Sequence, residues 1–373
     1  MSGLPTLRDV AKKVEAGERL DERDAVALLT SRDLLAVGEL ADRANRRRNG
    51  LKVFYNVNRH VNPTNVCVNR CRFCAFSRSP GEPGAYTLDH DRILERVREA
   101  AEAGATEVHI VGGLHPELPF GWYRDLVAAI RERFPRIHIK GFTAVEIDHF
   151  ARMGGGSAER VLQELREAGL GSLPGGGAEL LPAGIRRRIC PEKISGERWL
   201  EIMEIAHGLG LRSNATMLYG HVERPEDRVE HMRLLRALQD RTGGFQAFIP
   251  LAFQPRNSEL ARAAPTTGLD DLLTLATARL YLDNFRHIKA YWVMLGERIA
   301  QVSLHFGVND LDGTVVEERI AHDAGATSRE ALTREELVAL IEEAGRIPVE
   351  RDTLYRPVER SDAGWRVAGE AVA

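Results

Sequence analysis

Between residues 52 and 312 the chain alternates eight times between a short β-type run and a longer run whose apolar residues recur at helical spacing. Residues 52–66 read as the first strand. "LDHDRILERVREAAEAG", closed by Gly104, leads to "TEVHIVGG", and "GWYRDLVAAIRERF", stopped at Pro135, leads to "RIHIKGFTAVEI". The series continues with "SAERVLQELREAG" and "GSLPGGGAEL", "SGERWLEIMEIAHGLG" and "LRSNATMLYG", and "PEDRVEHMRLLRALQDRTGG" and "FQAFIPLAF". It ends with "LDDLLTLATARLYLDNF" and "HIKAYWVML", then "GERIAQVSLHFG" and a short "VND". Strands separated by helices of this length pair in parallel, and eight of them close into an α/β fold, a (β/α)8 TIM-type barrel. A doubly wound open sheet would need a glycine-rich turn after its first strand, which this chain lacks. The expected division is an N-terminal helical arm over 1–50, the barrel over 51–312, and a C-terminal extension over 313–373 packed on the barrel. The extension holds one clear helix, "TREELVALIEEAG", with Thr333 and Glu336 as its capping box.

A barrel of this type carries its chemistry at the C-terminal ends of its strands, and the segment after the first strand is "NVCVNRCRFCAF". Three of the chain's four cysteines, Cys67, Cys71 and Cys74, fall within those residues. Disulfides need pairs, and a structural zinc usually takes four ligands with a second Cys or His pair following. No second pair follows here, although His60 or Cys190 could complete a three-cysteine zinc site. A cubane iron–sulfur cluster held by three thiolates is the other reading, and it leaves one iron open to a non-protein ligand. Clustered free thiols fit a reducing compartment. The opening residues lack the apolar run of a signal peptide, and no run of about 18 apolar residues suggests a membrane span. A net charge of −3 gives no general pull toward nucleic acid. The expectation is therefore a cytoplasmic protein with neither a nucleic-acid nor a membrane partner.

Period-two alternation sorts the strand residues. Val108 and Ile110 suit the outer helices, which turns His109, Val111 and Gly113 inward. Ile137, Ile139 and Val145 likewise face out, leaving His138, Lys140, Phe142 and Glu146 toward the lumen. Barrel lumens are ordinarily packed with branched apolar side chains, so polar groups there suggest a ligand cavity. Two glycine clusters, "VGGLHP" and "LPGGGAE", end the second and fourth strands, where a bulky cofactor needs the backbone to come close.

The spacing C-x3-C-x2-C, with Phe73 just before the last cysteine, resembles the radical S-adenosylmethionine superfamily. The resemblance implies that Cys67, Cys71 and Cys74 hold a 4Fe–4S cluster beside Phe73, and that S-adenosylmethionine chelates the open iron. It also implies that Gly112 and Gly113 receive the methionine amino group and that Glu179 binds the ribose. The superfamily often has a carboxylate after the glycine pair, where this chain has Leu114. The blocks "NPTNVCVNRCRFCAF", "HIVGGLHPELPFGWY", "IHIKGFTAVEI", "PGGGAE", "RICPEKISGERWLEIMEIAHGLGLRSNATMLYGHVE" and "GGFQAFIPLAFQP" resemble the futalosine-pathway and deazaflavin-forming branch. Within it they are most similar to the aminofutalosine synthases of menaquinone biosynthesis. That implies a transferase that adds the 5'-deoxyadenosyl radical to 3-[(1-carboxyvinyl)oxy]benzoate, then moves the aryl group and loses a carboxylate. S-adenosylmethionine would be a co-substrate, and a low-potential donor such as flavodoxin or ferredoxin would supply the electron.

Such a reaction sets demands on side chains. The substrate's two carboxylates call for bidentate arginine, with Arg59 and Arg78 as candidates. His60, His109, Glu146 and His221 are candidate acids or bases for the hydroxyl that appears after aryl transfer. Asn214 is a candidate for the cofactor's adenine or ribose, and Gln254 for the benzoate. The alternatives are a hydrogen-abstracting dehypoxanthine futalosine cyclase of the same branch and a non-catalytic zinc protein.

Overall fold

The computed structural model describes residues 4–260, 264–362 and 364–369. Twelve strands are present among them: β1 Lys52–Asn56, β2 Asn58–Val61, β3 Glu107–Ile110, β4 His138–Gly141, β5 Ser172–Leu173 and β6 Arg212–Tyr219. Then follow β7 Phe245–Ala252, β8 His287–Ile288, β9 Asp310–Gly313, β10 Ile347–Glu350, β11 Val358–Ser361 and β12 Gly364–Val367. Strands β2 to β8 form one parallel sheet in chain order, curled so that its two edges approach each other. The remaining gap is spanned by β9. It pairs in parallel with β1, the chain's direct lead-in to β2, and a bridge from Lys289 to Asp310 ties it to the end of β8. The amide of Ala290 donates to the Asp310 carbonyl and that of Asn309 to the Ile288 carbonyl, while a bridge from Arg59 to Val316 secures β2.

The expected α/β barrel is present, with local differences that have physical causes. The first strand breaks into β1 and β2 at Val57, and β1 also pairs with β10, so the barrel's opening strand serves two sheets. In "RIHIKGFTAVEI" only His138–Gly141 is strand, and Ala144–Phe150 is a helix. Thr143 caps it, accepting from the Glu146 amide while the Glu146 carboxylate accepts from the Thr143 amide. This capping box outweighs the strand-like alternation of the segment. It also moves two residues: Phe142 packs edge-on against Tyr123 and Phe150 rather than facing the lumen, and Val145 lines the central cavity instead of the outer face. In the same way "WVML" is a helical turn, Trp292–Leu295, and not strand.

Three helices, Leu7–Ala16, Glu22–Leu29 and Leu34–Asn49, precede the barrel, and the last lies along the helix Gly268–Tyr281. Gly38 belongs to it because a β-carbon there would come within 2.4 Å of the Phe306 ring. At the other end of the chain, residues 351–355 reach under the barrel: Thr353 donates to Glu107, and Tyr355 stacks on His287 with ring centroids 3.7 Å apart. No helix among the described residues is long and apolar enough to cross a membrane.

Candidate active site

A cavity of about 300 Å3 opens at the C-terminal ends of the strands, the size of a small-molecule site. Its wall on one side is the cysteine loop. Cys67, Asn69, Cys71, Phe73 and Cys74 all face the cavity. The loop is fixed by its own backbone: the Cys67 amide donates to the Arg78 carbonyl, Val68 to Leu114, Arg72 to Ile189, and Cys74 to Cys71. All four cysteines are free thiols. Among the described residues no three His, Cys, Asp or Glu side chains, the three thiols included, are drawn together as around a single ion; His60 lines the same cavity as the thiols and Cys190 does not.

The glycine clusters fit the loop to the strands. A β-carbon on Gly113 would stand 2.2 Å from the Val66 carbonyl oxygen, so only glycine lets the end of β3 lie against the backbone that precedes Cys67. Gly175 meets the backbone of Asn214 and Ala215 in the same way, at 2.8 Å. Among the described residues the carbonyls of Gly112 and Gly113 accept no hydrogen bond, which leaves two oxygens free at the cavity wall.

Opposite the thiols, the floor is polar. His60 and His109 come from adjacent positions on β2 and β3, with ring centroids 4.5 Å apart, and both Nε2 atoms are buried without a partner. Burial lowers the pKa of both, which keeps the pair neutral, and the His60 ring lowers that of His109 further. Glu146 is 4% exposed, and burial raises its pKa to about 7 although it accepts from the amides of Gly112 and Thr143. Glu179 sits in a left-handed backbone conformation, φ 46°, and its carboxylate meets Lys193 Nζ at 2.5 Å. Lys193 also lies over the Phe73 ring, 5.0 Å from its centroid. Asn214 lines the cavity. So does Gln254, whose amide donates to the Ala252 and Met294 carbonyls.

Three residues expected at the site lie elsewhere. Arg59 points out of the barrel, where Glu99 holds it at 2.7 Å and Glu317 at 3.0 Å. Arg78 folds back onto its own loop, donating to the carbonyls of Ala75 and Ser77. His221 is packed against Phe253 with Nδ1 3.0 Å from Glu223 and Nε2 3.1 Å from the Leu218 carbonyl, so both nitrogens are engaged away from the cavity. Among the described residues no arginine lines the cavity, and Lys193 is its one lysine. The residues that sequence reasoning missed are Lys193, Tyr291, Asp312 and Glu318. Asp312 lies at the end of β9 and Glu318 beyond it, in "NDLDGTVVEE", and the rule that barrel chemistry lies at strand ends would have pointed to that acidic run. Asp312 occupies a left-handed conformation, φ 68°, and pairs with Lys289 at 2.7 Å.

Comparison with known proteins matches residues 61–235 to the radical SAM superfamily and residues 242–363 to the CofH/MqnC C-terminal region. The chain is 50% identical to an aminodeoxyfutalosine synthase of Thermus thermophilus, over 95% of this chain and 96% of that one. It is 44% identical to a 5-amino-6-(D-ribitylamino)uracil–L-tyrosine 4-hydroxyphenyl transferase of Methanopyrus kandleri, over 94% and 95%. A cyclic dehypoxanthine futalosine synthase of Streptomyces coelicolor is 42% identical over 95% and 90%. Among solved structures, methylornithine synthase (PylB) superposes with a TM-score of 0.73 at 19% identity, covering 91% of this chain and 97% of that one, a likeness of fold.

Proposed function

This chain belongs to the radical SAM superfamily, in the branch with a CofH/MqnC C-terminal region that it shares with the aminodeoxyfutalosine synthases, and from that premise we propose that it makes 6-amino-6-deoxyfutalosine. The substrates are S-adenosylmethionine and 3-[(1-carboxyvinyl)oxy]benzoate. The 5'-deoxyadenosyl group joins the enol-ether double bond, the aryl group moves from oxygen to carbon, and one carboxylate is lost. Methionine is the second product.

The residues present fit a three-thiolate 4Fe–4S cluster. Cys67, Cys71 and Cys74 share one cavity wall, and the fourth cysteine, Cys190, is not among the residues that line it. Bound there, the cluster and S-adenosylmethionine supply the 5'-deoxyadenosyl radical. The free carbonyls of Gly112 and Gly113 suit an ammonium group, and Lys193 suits a carboxylate. Glu179 is placed to accept from ribose hydroxyls, with Asn214 of β6 lining the same cavity.

The neutral His60 and His109 pair takes the place the arginines were expected to fill. Two unpartnered ring nitrogens in a buried, polar corner can donate to a benzoate carboxylate or to the phenolic oxygen released on aryl transfer. Glu146, with its raised pKa, stands across the same cavity as a proton carrier near neutrality. The cavity is otherwise walled by Phe73, Phe76, Leu114, Leu218 and Phe253, which keep stray hydrogen donors from a carbon radical. The observation that carries the reading is the meeting of three thiols and an unpartnered histidine pair in one cavity of a chain half identical to a synthase along nearly its whole length.

The test is product analysis under strictly anaerobic conditions, with reconstituted protein, S-adenosylmethionine, a low-potential reductant and 3-[(1-carboxyvinyl)oxy]benzoate. The expected product carries the adenosyl and benzoate parts together, one carboxylate short. Free 5'-deoxyadenosine with the benzoate untouched would reject this substrate and favour the cyclase chemistry named for the Streptomyces relative.

A further inference from the structure

Strands β2, β3 and β4 carry a row of basic side chains across the barrel: His60, His109 and Lys140 sit at directly paired positions. Lys140 is settled, meeting Glu107 at 2.7 Å. The two imidazoles are not. Both line the cavity, both Nε2 atoms are buried, and neither ring makes a hydrogen bond among the described residues. A neutral imidazole offers one donor and one acceptor, and buried polar groups of native proteins are ordinarily partnered. Two idle rings side by side therefore ask for a ligand.

The charges that face the pair are already matched with one another. Around the rings stand the carboxylates of Glu107, Asp312 and Glu318 and the ammonium of Lys140. Glu107 is paired with Lys140, and Asp312 with Lys289 at 2.7 Å. Glu318 is paired with His322 at 3.4 Å, an imidazole kept protonated because that contact raises its pKa to about 9. Tyr291, on the wall near Asp312 and Glu318, is held un-ionised by burial. The cavity as a whole is lined by the carboxylates Glu146, Glu179, Asp312 and Glu318, whereas Lys193, its one lysine among the described residues, is committed to Glu179 at 2.5 Å. A carboxylate entering such a cavity finds no spare cation, and an uncompensated buried charge is strongly unfavourable. The compensation within reach is a proton from solvent, taken by a base that is neutral before the ligand arrives.

We propose that the His60–His109 pair is the receptor for an aryl carboxylate, and that the pair takes up one proton from solvent when that carboxylate binds. The imidazolium so formed donates a charge-assisted hydrogen bond to the anion, which a neutral ring cannot do. The second ring stays neutral, because two imidazolium rings with centroids 4.5 Å apart would repel each other. Burial holds the empty pair below the ordinary histidine value of 6.5, so the proton is absent until the anion draws it in. This role rests on the benzoate reading above and deepens it, since it states how a cavity without arginine selects an anion.

The test uses reconstituted holoenzyme with S-adenosylmethionine and no reductant, so that nothing turns over. It is titrated by anaerobic calorimetry with 3-[(1-carboxyvinyl)oxy]benzoate and, separately, with benzoate, in phosphate and in Tris at the same pH. The difference in heat between the two buffers counts the protons taken up. About one proton should be taken up per ligand bound, and affinity should fall about tenfold per pH unit as pH rises above the ordinary histidine value of 6.5. His60→Asn/His109→Asn keeps hydrogen-bonding side chains without the titration; uptake should vanish, affinity should drop about tenfold or more, and its pH dependence should flatten. Glu146→Gln, which removes the cavity's carboxyl with a pKa of about 7, should leave the uptake in place. Equal heats in the two buffers for the parent would overturn the proposal even if no variant folds. Uptake that survives in the double histidine variant, or is lost in Glu146→Gln, would overturn it too. If benzoate binds with uptake and the larger substrate does not bind, the substrate assignment falls and the receptor stands; if neither binds, the receptor falls as well.

Discussion

The two ends of this barrel are built from the same strands and do opposite things with polar groups. At the N-terminal end buried charges are held by the protein itself, most of them by counter-charges and Arg279 by the Gly307 carbonyl and Asn309. Lys140 meets Glu107 at 2.7 Å and Arg351 meets Asp310 at 2.7 Å, with the Thr353 hydroxyl donating to Glu107. At the C-terminal end, around the cavity, thiols, two histidine nitrogens and two glycine carbonyls are left without protein partners. A satisfied charge holds position and does not react; an unsatisfied one costs stability until something binds it. Stability and chemistry are thus separated along the barrel axis.

The largest effect should come from emptying the reactive end. Cys67→Ala, Cys71→Ala or Cys74→Ala should each abolish the brown colour and absorbance of the reconstituted cluster and all product formation. Thermal stability of the cluster-free protein should change little, because these thiols form no hydrogen-bonded scaffold. A variant that retained full cluster absorbance would break the assignment of that cysteine. The structural end should respond the other way. Arg351→Met leaves Asp310, fully buried, without its main partner, and should destabilise the fold by about 3–5 kcal/mol, read as a lower denaturation midpoint. Asp310→Asn/Arg351→Met should recover much of that loss. A single variant as stable as the parent would show that the paired end is not what holds the barrel.

The same division explains what the sequence could disclose. Strands β10, β11 and β12 of the C-terminal extension were not read as strands, whereas the barrel's repeats were legible because its apolar periods recur along the chain, and the cysteines because their spacing is local. Arg59, Arg78 and His221 were not, since what turns them from the cavity is supplied by tertiary contacts: Glu99 and Glu317 for Arg59, loop carbonyls for Arg78, and Phe253 with Glu223 for His221. Lys193 reaches the cavity only because the helix Ala183–Ile189 packs against the cysteine loop, a contact without a sequence period. Glu146 lay between: the TxxE capping signal at 143–146 was present in the sequence, but the alternation around it reads as strand.

Glu146 also gives the smallest and most discriminating effect, because it belongs to the reactive end yet is hydrogen-bonded like a structural residue. Burial raises its pKa from the ordinary 4.5 to about 7, against the pull of the Thr143 and Gly112 donors and of Lys193, and Tyr123 is the other titratable group facing it. Between about pH 4.5 and 7 the folded protein keeps a proton that the unfolded chain has released. The native state therefore binds more protons than the unfolded state in that window, and stability must fall as pH rises through it. The slope for one full proton is about 1.4 kcal/mol per pH unit. Glu146→Gln removes the titration while keeping one acceptor oxygen, so its absolute stability should drop by about 1 kcal/mol from the lost hydrogen bond. Its slope between pH 5 and 7, relative to the parent, should be flatter. Equal slopes would mean that Glu146 stays ionised through neutrality, as a satisfied helix cap would, and would move it from the reactive end of the molecule to the structural one.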